Sequence, residues 1–319
     1  MGSDGSGNKT FDILGIGTVT VDDVMSVDEY PEPETKVNIL EEYRQCGGLV
    51  ATALVAASRL GSRCAYSAIL GHDGLSSFVL DALRREGIET SYVRFRSEAR
   101  PIHSRIIVDV KHSTRTIIFN RNNVVWLDPS TADPGLMRSA RILFLDHYTL
   151  QTLAPAVEEA AAAGIEVVAD VERGEPPEVF ETMRNVDHLI LSSGYARRIT
   201  GTGTARDAVQ ALWSERRKVV VVTEGIRGSW YRHGESASPE HLPAFEVNTA
   251  DTTGCGDVFH GAYASALARG FPVADRIRLA TGAAALRAEH WGAQSGIPTA
   301  GELDAFLKAR GYPVEPDLP

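Results

Sequence analysis

Cysteine is scarce in this chain: Cys46, Cys64 and Cys255 are the three in 319 residues, they lie far apart, and none belongs to a CxxC pair. That usage suits a reducing compartment. No apolar run is long enough to span a bilayer and no secretory leader is visible, so the cytoplasm is the expected location. Basic charge is short as well, with 32 Lys and Arg against 42 Asp and Glu, a net charge of −10, and no basic stripe. Nucleic acid and anionic membrane surfaces are therefore not expected partners. A nucleotide is an anion too, so its binding here would need glycine loops and a metal to offset the overall sign.

What remains is ordinary globular material, 43% hydrophobic and 23% charged, long enough for one large α/β domain and a minor element. Residues 1–10 read as a flexible leader. Phe11–Gly17 reads as a buried strand ending in glycines, but the third position of a GxGxxG fingerprint is Thr20, and Val19, Val21 and Val24 continue as strand, so a dinucleotide site is not expected. From Ile142 onward strands and helices alternate, which predicts a doubly wound, mostly parallel sheet. Ligands in such sheets collect at the carboxyl ends of strands, which makes Asp146, Asp170 and Glu172 candidates, the last two equally well structural. Between Thr90 and Val125 the helical period vanishes, and 104–110 with 114–119 alternate like a hairpin. Together with a strand in 36–46 they predict a small sheet. The expected main domain is then 11–35, 47–99 and 126–312, interrupted by 36–46 and 100–125.

The stretch around which the chain is organised is Asp251-Thr-Thr-Gly-Cys-Gly-Asp257, running into an apolar helix. Gly254, Cys255 and Gly256 leave the backbone bare at a helix N-terminus, where free N–H groups and the helix dipole favour phosphate or an oxyanion. Asp257 sits where an acid would repel such an anion. Either it merely favours the first turn of a helix, or it is a base that deprotonates a hydroxyl while the amides hold the group under attack. The second reading describes phosphoryl transfer to an alcohol.

DTTGCGD resembles the DTxGAGD signature of the ribokinase (PfkB) family of sugar kinases, with Cys255 in place of the usual Ala, adding an oxidisable thiol to the site. The resemblance extends over about residues 11–310. It implies a ribokinase-like α/β fold with a β-sheet lid, ATP and Mg²⁺ as cofactor, Asp257 as base, and the amides of Gly254, Cys255 and Gly256 on the phosphoryl group. Tyr30-Pro-Glu-Pro33 resembles FPxPGE and places Asp22 where the family grips sugar hydroxyls, with Asp23 facing the other way. Gly47 and Gly48 resemble the start of GGxxxN, whose Asn is Thr52 here. Asp146 stands where the resemblance implies a further sugar contact, while the polar run 120–123 at the hairpin exit reads either as a solvated loop or as a substrate contact, the latter expected for Asn120. Ser192 and Tyr195 replace the Asn and Glu of NxxE, so one acid that orders Mg²⁺ and phosphates is missing. Thr223, Gly225 and Gly228 resemble the TxGxxG turn beside the nucleotide, and Trp291–Pro298 the terminal loop near adenine. That loop and the Asp251/Thr253 segment imply a monovalent cation, possible K⁺, held largely by carbonyls. The resemblance also implies a homodimer joined through the lid. Within the family the wording is nearest the ketohexokinase and sulfofructose kinase branch. A small neutral ketose or pentose is the expected acceptor, with a sulfosugar kinase, a nucleoside kinase (Tyr148 or Trp126 offering an aromatic slot) or a catalytically silent sugar-binding homologue as alternatives.

Overall fold

The structure is a computed structural model that describes residues 9–112 and 114–312. The leader thus lies mostly outside the described residues. The chain begins with β1 (Phe11–Ile16), β2 (Thr20–Val27) and β3 (Glu41–Gly47), then α1 (Leu49–Arg59). β4 (Cys64–Ser67), β5 (Ile69–Leu70), α2 (Gly74–Arg85) and β6 (Arg94–Phe95) follow. Next come β7 (Ile102–Asp109), β8 (Thr114–Asn120), α3 (Pro134–Arg138) and β9 (Ala140–Asp146). α4 (His147–Thr152), α5 (Ala154–Ala162), β10 (Glu166–Asp170), α6 (Glu178–Thr182) and β11 (His188–Ser192) continue the alternation. The last third holds α7 (Ser193–Thr200), α8 (Ala205–Leu212), β12 (Val219–Thr223), β13 (Ser229–His233) and β14 (Glu240–Leu242). It ends with α9 (Cys255–Ala268), α10 (Val273–Ala288) and α11 (Ala300–Lys308).

The main sheet has the order β14-β13-β12-β11-β10-β9-β1-β4, parallel from β12 to β4 and antiparallel only at the β13 and β14 edge. Its strands are apolar on both faces because both faces are covered. Ile13, Phe144, Ile190 and Val221 pack into the core shared with α1, α9 and α10. Their neighbours Leu14, Leu145, Leu191 and Val222 enter the opposite core, under α5, α7 and α8. The continuous Val219–Val222 run is thus two alternating sets of side chains. α9 is buried all round from Val258 to Leu267, as an apolar helix with no polar stripe must be.

The small sheet has the order β3-β2-β7-β8. Two expectations are corrected here. The segment 20–27, expected within the main domain, is a strand of this second sheet, parallel to β7 and antiparallel to β3. The expected strand in 36–46 is Glu41–Gly47, and 36–40 is irregular. β2 buries valines on both faces, Val21 and Val27 on one and Val24 on the other, a pattern that suits either sheet. Partner choice is non-local, and the sequence pattern does not carry it.

Candidate active site

α9 begins at Gly254, whose φ of 79° is left-handed and which receives no side-chain cap. A Cβ there would stand 2.5 Å from the Ala293 carbonyl oxygen, so the loop is glycine for both conformation and space. The Cys255 N–H donates to the Thr252 carbonyl at 3.3 Å, and Val258 N–H donates to Gly254. Among the described residues the N–H groups of Gly254, Gly256 and Asp257 have no protein acceptor. The free amides are therefore these three, and Cys255, expected among them, has its amide engaged. Its thiol is pushed up to about 11 by burial, so at neutral pH it is a protonated, sluggish group rather than a readily oxidised thiolate.

Asp257 is half-buried in the first turn. Removal from water raises its pKa well above the ordinary carboxylate range, and the charges of Asp170, Glu172 and Asp22 raise it further while Arg287 opposes them. Asp170, at the end of β10, is buried and raised in the same way, with Glu172 and Asp146 adding to the effect. His260, one turn along α9, faces the Gly256 carbonyl at 2.8 Å and the Ile190 carbonyl at 3.1 Å, and so pins the first turn to β11.

Asp22 and Asp23 occupy opposite faces of β2. Asp22 is buried, and burial raises its pKa against the hydrogen bonds of Thr20 and Ser104. Asp23 is held at about 2 by the Arg44 guanidinium, with His103 adding to the effect. Gly47 and Gly48 are required by packing. A Cβ on Gly47 would lie 2.3 Å from the Asp22 carboxylate, and one on Gly48, where φ is 101°, 2.7 Å from the Thr18 carbonyl.

Of the three further residues expected at the sugar, Asp146 and Thr52 are turned inward. Asp146 has no exposed surface. Its Oδ2 accepts from Thr18 N–H at 2.6 Å, and its Oδ1 from Tyr148 N–H, Thr149 N–H and the Thr149 hydroxyl, each at 3.1 Å. This carboxylate caps α4 and ties it to the β1–β2 turn. Thr52 is likewise fully buried, and its hydroxyl accepts from Gln294 Nε2 at 3.4 Å. Asn120 is exposed at the end of β8, with its Oδ1 accepting from Asn122 N–H at 2.8 Å. The signal that failed was position in sequence: a polar residue at a strand end caps its own turn as readily as it meets a ligand.

Among the residues expected to meet a nucleotide, exposed Ser192 caps α7, and Thr223 closes β12 with its hydroxyl 3.5 Å from the Leu191 carbonyl. Gly225 and Gly228 both have positive φ, and a Cβ on Gly228 would lie 2.1 Å from the Leu242 carbonyl. Tyr195, where the missing acid would stand, donates its hydroxyl to the carbonyls of Arg173 and Gly174, a structural peg. An acid is nevertheless close by: Glu224 lies 3.4 Å from the Ser193 hydroxyl and 3.1 Å from Arg227. Trp126 and Tyr148 stack on each other with centroids 4.6 Å apart, so each offers one ring face to its neighbour rather than to a ligand.

The Asp251/Thr253 segment is also corrected. Asp251 Oδ1 accepts from the amide and hydroxyl of Thr253, and Oδ2 from Gly292 N–H and Arg287. Arg287 has no exposed surface, and its guanidinium lies among the carbonyls of Asp251, His290 and Ala293. The expected K⁺ therefore does not fit beside it. Arg287, Glu224 and the lid residue Arg115, which comes within 3.9 Å of Asp251, were missed by sequence reasoning. Nothing in an Ala-rich helix marks its arginine as one that turns inward.

Residues 11–300 match the profile of the pfkB family carbohydrate kinase. Ribokinase of Staphylococcus aureus (strain COL) is 24% identical over 302 residues, covering 92% of this chain and 98% of that one. Ketohexokinase of Mus musculus is 24% identical over 286 residues, covering 83% and 92%. Among solved structures, ribokinase of Thermotoga maritima superposes with a TM-score of 0.80 at 25% identity, covering 93% and 99%. Arabidopsis thaliana ribokinase complexed with ribose and ATP shares the fold, with a TM-score of 0.81 at 22% identity over 93% and 99%. The glycine-mouthed α9 with its carboxylate, the ribokinase-like sheet beneath it and a family match over nearly the whole length agree: this chain belongs to the pfkB family of carbohydrate kinases and is a phosphotransferase.

Proposed function

We propose that this enzyme transfers the γ-phosphoryl group of ATP to a primary hydroxyl of a small neutral sugar or ketose. The observation that carries the reading is Asp257, a carboxylate of raised pKa beside the unpaired amides of Gly254, Gly256 and its own residue. Asp257 takes the hydroxyl proton at its carboxylate oxygen. The amides and the positive end of α9 meet the charge spread over the transferring phosphoryl group. Asp22, buried on the lid strand β2 and felt electrostatically by Asp257, accepts hydrogen bonds from sugar hydroxyls. The Ser192, Thr223 and Gly225–Gly228 edge receives the nucleotide.

Among the described residues no group of three or more His, Cys, Asp or Glu is gathered to cage a metal. Mg²⁺ carried by ATP phosphates and water would need no such cage, and exposed Glu172, whose charge reaches Asp257, is the carboxylate that would meet it. Such an ion supplies neutralisation of the β- and γ-phosphate oxygens. The acids around Asp257 favour an uncharged acceptor over a sulfonated one, and the closed Trp126–Tyr148 stack opposes a nucleoside.

The test is a coupled ADP-release assay with Mg²⁺ over aldopentoses, ketoses, a sulfosugar and nucleosides. Turnover with neutral sugars is expected. Turnover confined to nucleosides or the sulfosugar would remove the acceptor assignment, and none with any acceptor would favour the silent homologue. The lid offers a surface for a second copy: Ile117 and Ile118 of β8 are 47% and 55% exposed, and Leu40 beside β3 is 55% exposed. A dimer is expected in sedimentation equilibrium at micromolar concentration, and a monomer there would remove this pairing. No helix among the described residues is long and apolar enough to cross a membrane.

A further inference from the structure

Arg287 is a fully buried cation with four directed hydrogen bonds, all to protein acceptors. Nε donates to the Ala293 carbonyl at 2.9 Å. Nη1 donates to the carbonyls of His290 at 2.8 Å and Asp251 at 3.2 Å. Nη2 donates to the Asp251 carboxylate at 3.4 Å. Three carbonyls and a carboxylate from two separate chain segments thus converge on one charge. Turned toward one another without it, they would be buried, unpaired acceptors, an arrangement that costs about 1–3 kcal/mol for each group left unsatisfied. These are also the two segments to which resemblance assigned a monovalent ion, so the donor set is present and already occupied.

The same segments frame the phosphoryl loop. Ala293, whose carbonyl Arg287 holds, is the residue a Gly254 side chain would strike, and Asp251 begins the turn that delivers Gly254. The Ala293 amide in turn donates to Gln45 Oε1 of the lid at 3.1 Å. The positive charge of Arg287 is felt at both Cys255 and Asp257, where it lowers the pKa of each. One buried guanidinium therefore sets the shape of the anion loop from behind and contributes to its potential.

We propose that Arg287 is a covalently tethered monovalent cation, which holds the 251–253 turn and the 290–293 turn in register with the phosphoryl-binding amides and makes this kinase indifferent to K⁺. The inference rests on the phosphoryl-transfer reading of the site. Arg287 is a positioning residue, acting through Asp251 and the Gly254 loop. An arginine suits the task because its planar fork presents five donors and stays charged when buried.

The experiment compares the full-length protein in KCl and in tetramethylammonium chloride at equal ionic strength, about 100 mM, reading both turnover and melting temperature. The wild type is expected to show the same turnover, to within about twofold, in both salts, and no K⁺-dependent rise in melting temperature. Arg287→Ala is expected to lose about 10–100-fold in turnover in tetramethylammonium, the usual effect of losing an outer-shell partner. K⁺ or free guanidinium should recover most of that loss, and K⁺ should raise the variant's melting temperature saturably, with Arg287→Lys intermediate. Activation or thermal stabilisation of the wild type by K⁺ would overturn the proposal, and so would an Arg287→Ala loss that neither cation recovers. If Arg287→Ala fails to fold, the wild-type salt comparison and Arg287→Lys still decide. If no acceptor is turned over in either salt, the kinase reading fails, while the substrate-free melting curves continue to test the cation.

Discussion

Asp257→Asn is expected to lower turnover by about 10²–10⁴, the range that a positioned general base contributes, with little change in the KM for ATP. The amide keeps the size and the polar contacts of the side chain but cannot accept the hydroxyl proton. The neighbouring amides and the α9 dipole are untouched, so nucleotide binding should persist. In the wild type, kcat/KM should rise with pH along a limb displaced upward from the ordinary carboxylate range, because burial and the charges of Asp170, Glu172 and Asp22 hold the proton on. Asp170 is the first of the charges that raise the Asp257 carboxyl. Asp170→Asn removes one of the like charges, so its limb should move to lower pH. Stability should run the opposite way to activity. A carboxyl whose folded pKa is raised contributes stability below its unfolded pKa and loses it as pH rises through the folded value. At pH 8 Asp257 is therefore a cost, and Asp257→Asn should be more stable than the wild type by on the order of 1 kcal/mol, a gap that closes on acidification. Retention of turnover within about tenfold of the wild type would be too small for a general base and would sink the assignment.

Gly261→Ala should be strongly destabilising. Gly261 lies in the middle of α9, and a Cβ there would stand 2.0 Å from the Ala53 carbonyl oxygen and 2.7 Å from its carbon. Both belong to the backbone of α1, so neither can swing aside. The two helices must separate by about an ångström, opening the core they share with β1 and β9, at a cost of about 3 kcal/mol. The melting temperature should fall by on the order of 5–10 °C. Activity should fall further than stability alone explains, because α9 carries Asp257 at its mouth and a displacement of about 1 Å at a reacting group can cost 10²-fold. Gly194→Ala is the control: Gly194 lies in α7 with nothing within 4 Å of its Cβ position, so the substitution should be neutral or stabilise by up to about 1 kcal/mol. Equal melting temperatures for the two variants would show that the α1–α9 contact is looser than described.

Asp257 and Gly261 both belong to α9, a helix that stands out in the sequence, whereas other parts of the fold are less legible. The strand–helix alternation after Ile142, the glycine-opened N-terminus at Gly254 and the opposite facing of Asp22 and Asp23 are all local patterns of period or of turn chemistry. They were readable because each depends on residues only a few positions apart. Thr52 and Asp146 look no different in sequence from ligand-binding residues. Yet their partners are Gln294, 242 positions away, and Thr18, 128 positions away, and those partners consume the groups a sugar would have used. β2 was expected within the main domain for the same reason: a strand pattern specifies what is buried but not the strand that will lie alongside.

Its sequence by itself determined the family, the doubly wound core and a carboxylate at the mouth of a bare helix, since these follow from hydrophobic period, glycine conformation and short-range spacing. Tertiary structure alone decided which acids face one another, which polar groups are spent inside the protein, and that an arginine from α10 occupies the carbonyls behind the phosphoryl loop. Those outcomes depend on bringing distant segments together, where a buried charge or acceptor must find a partner whatever its separation along the chain.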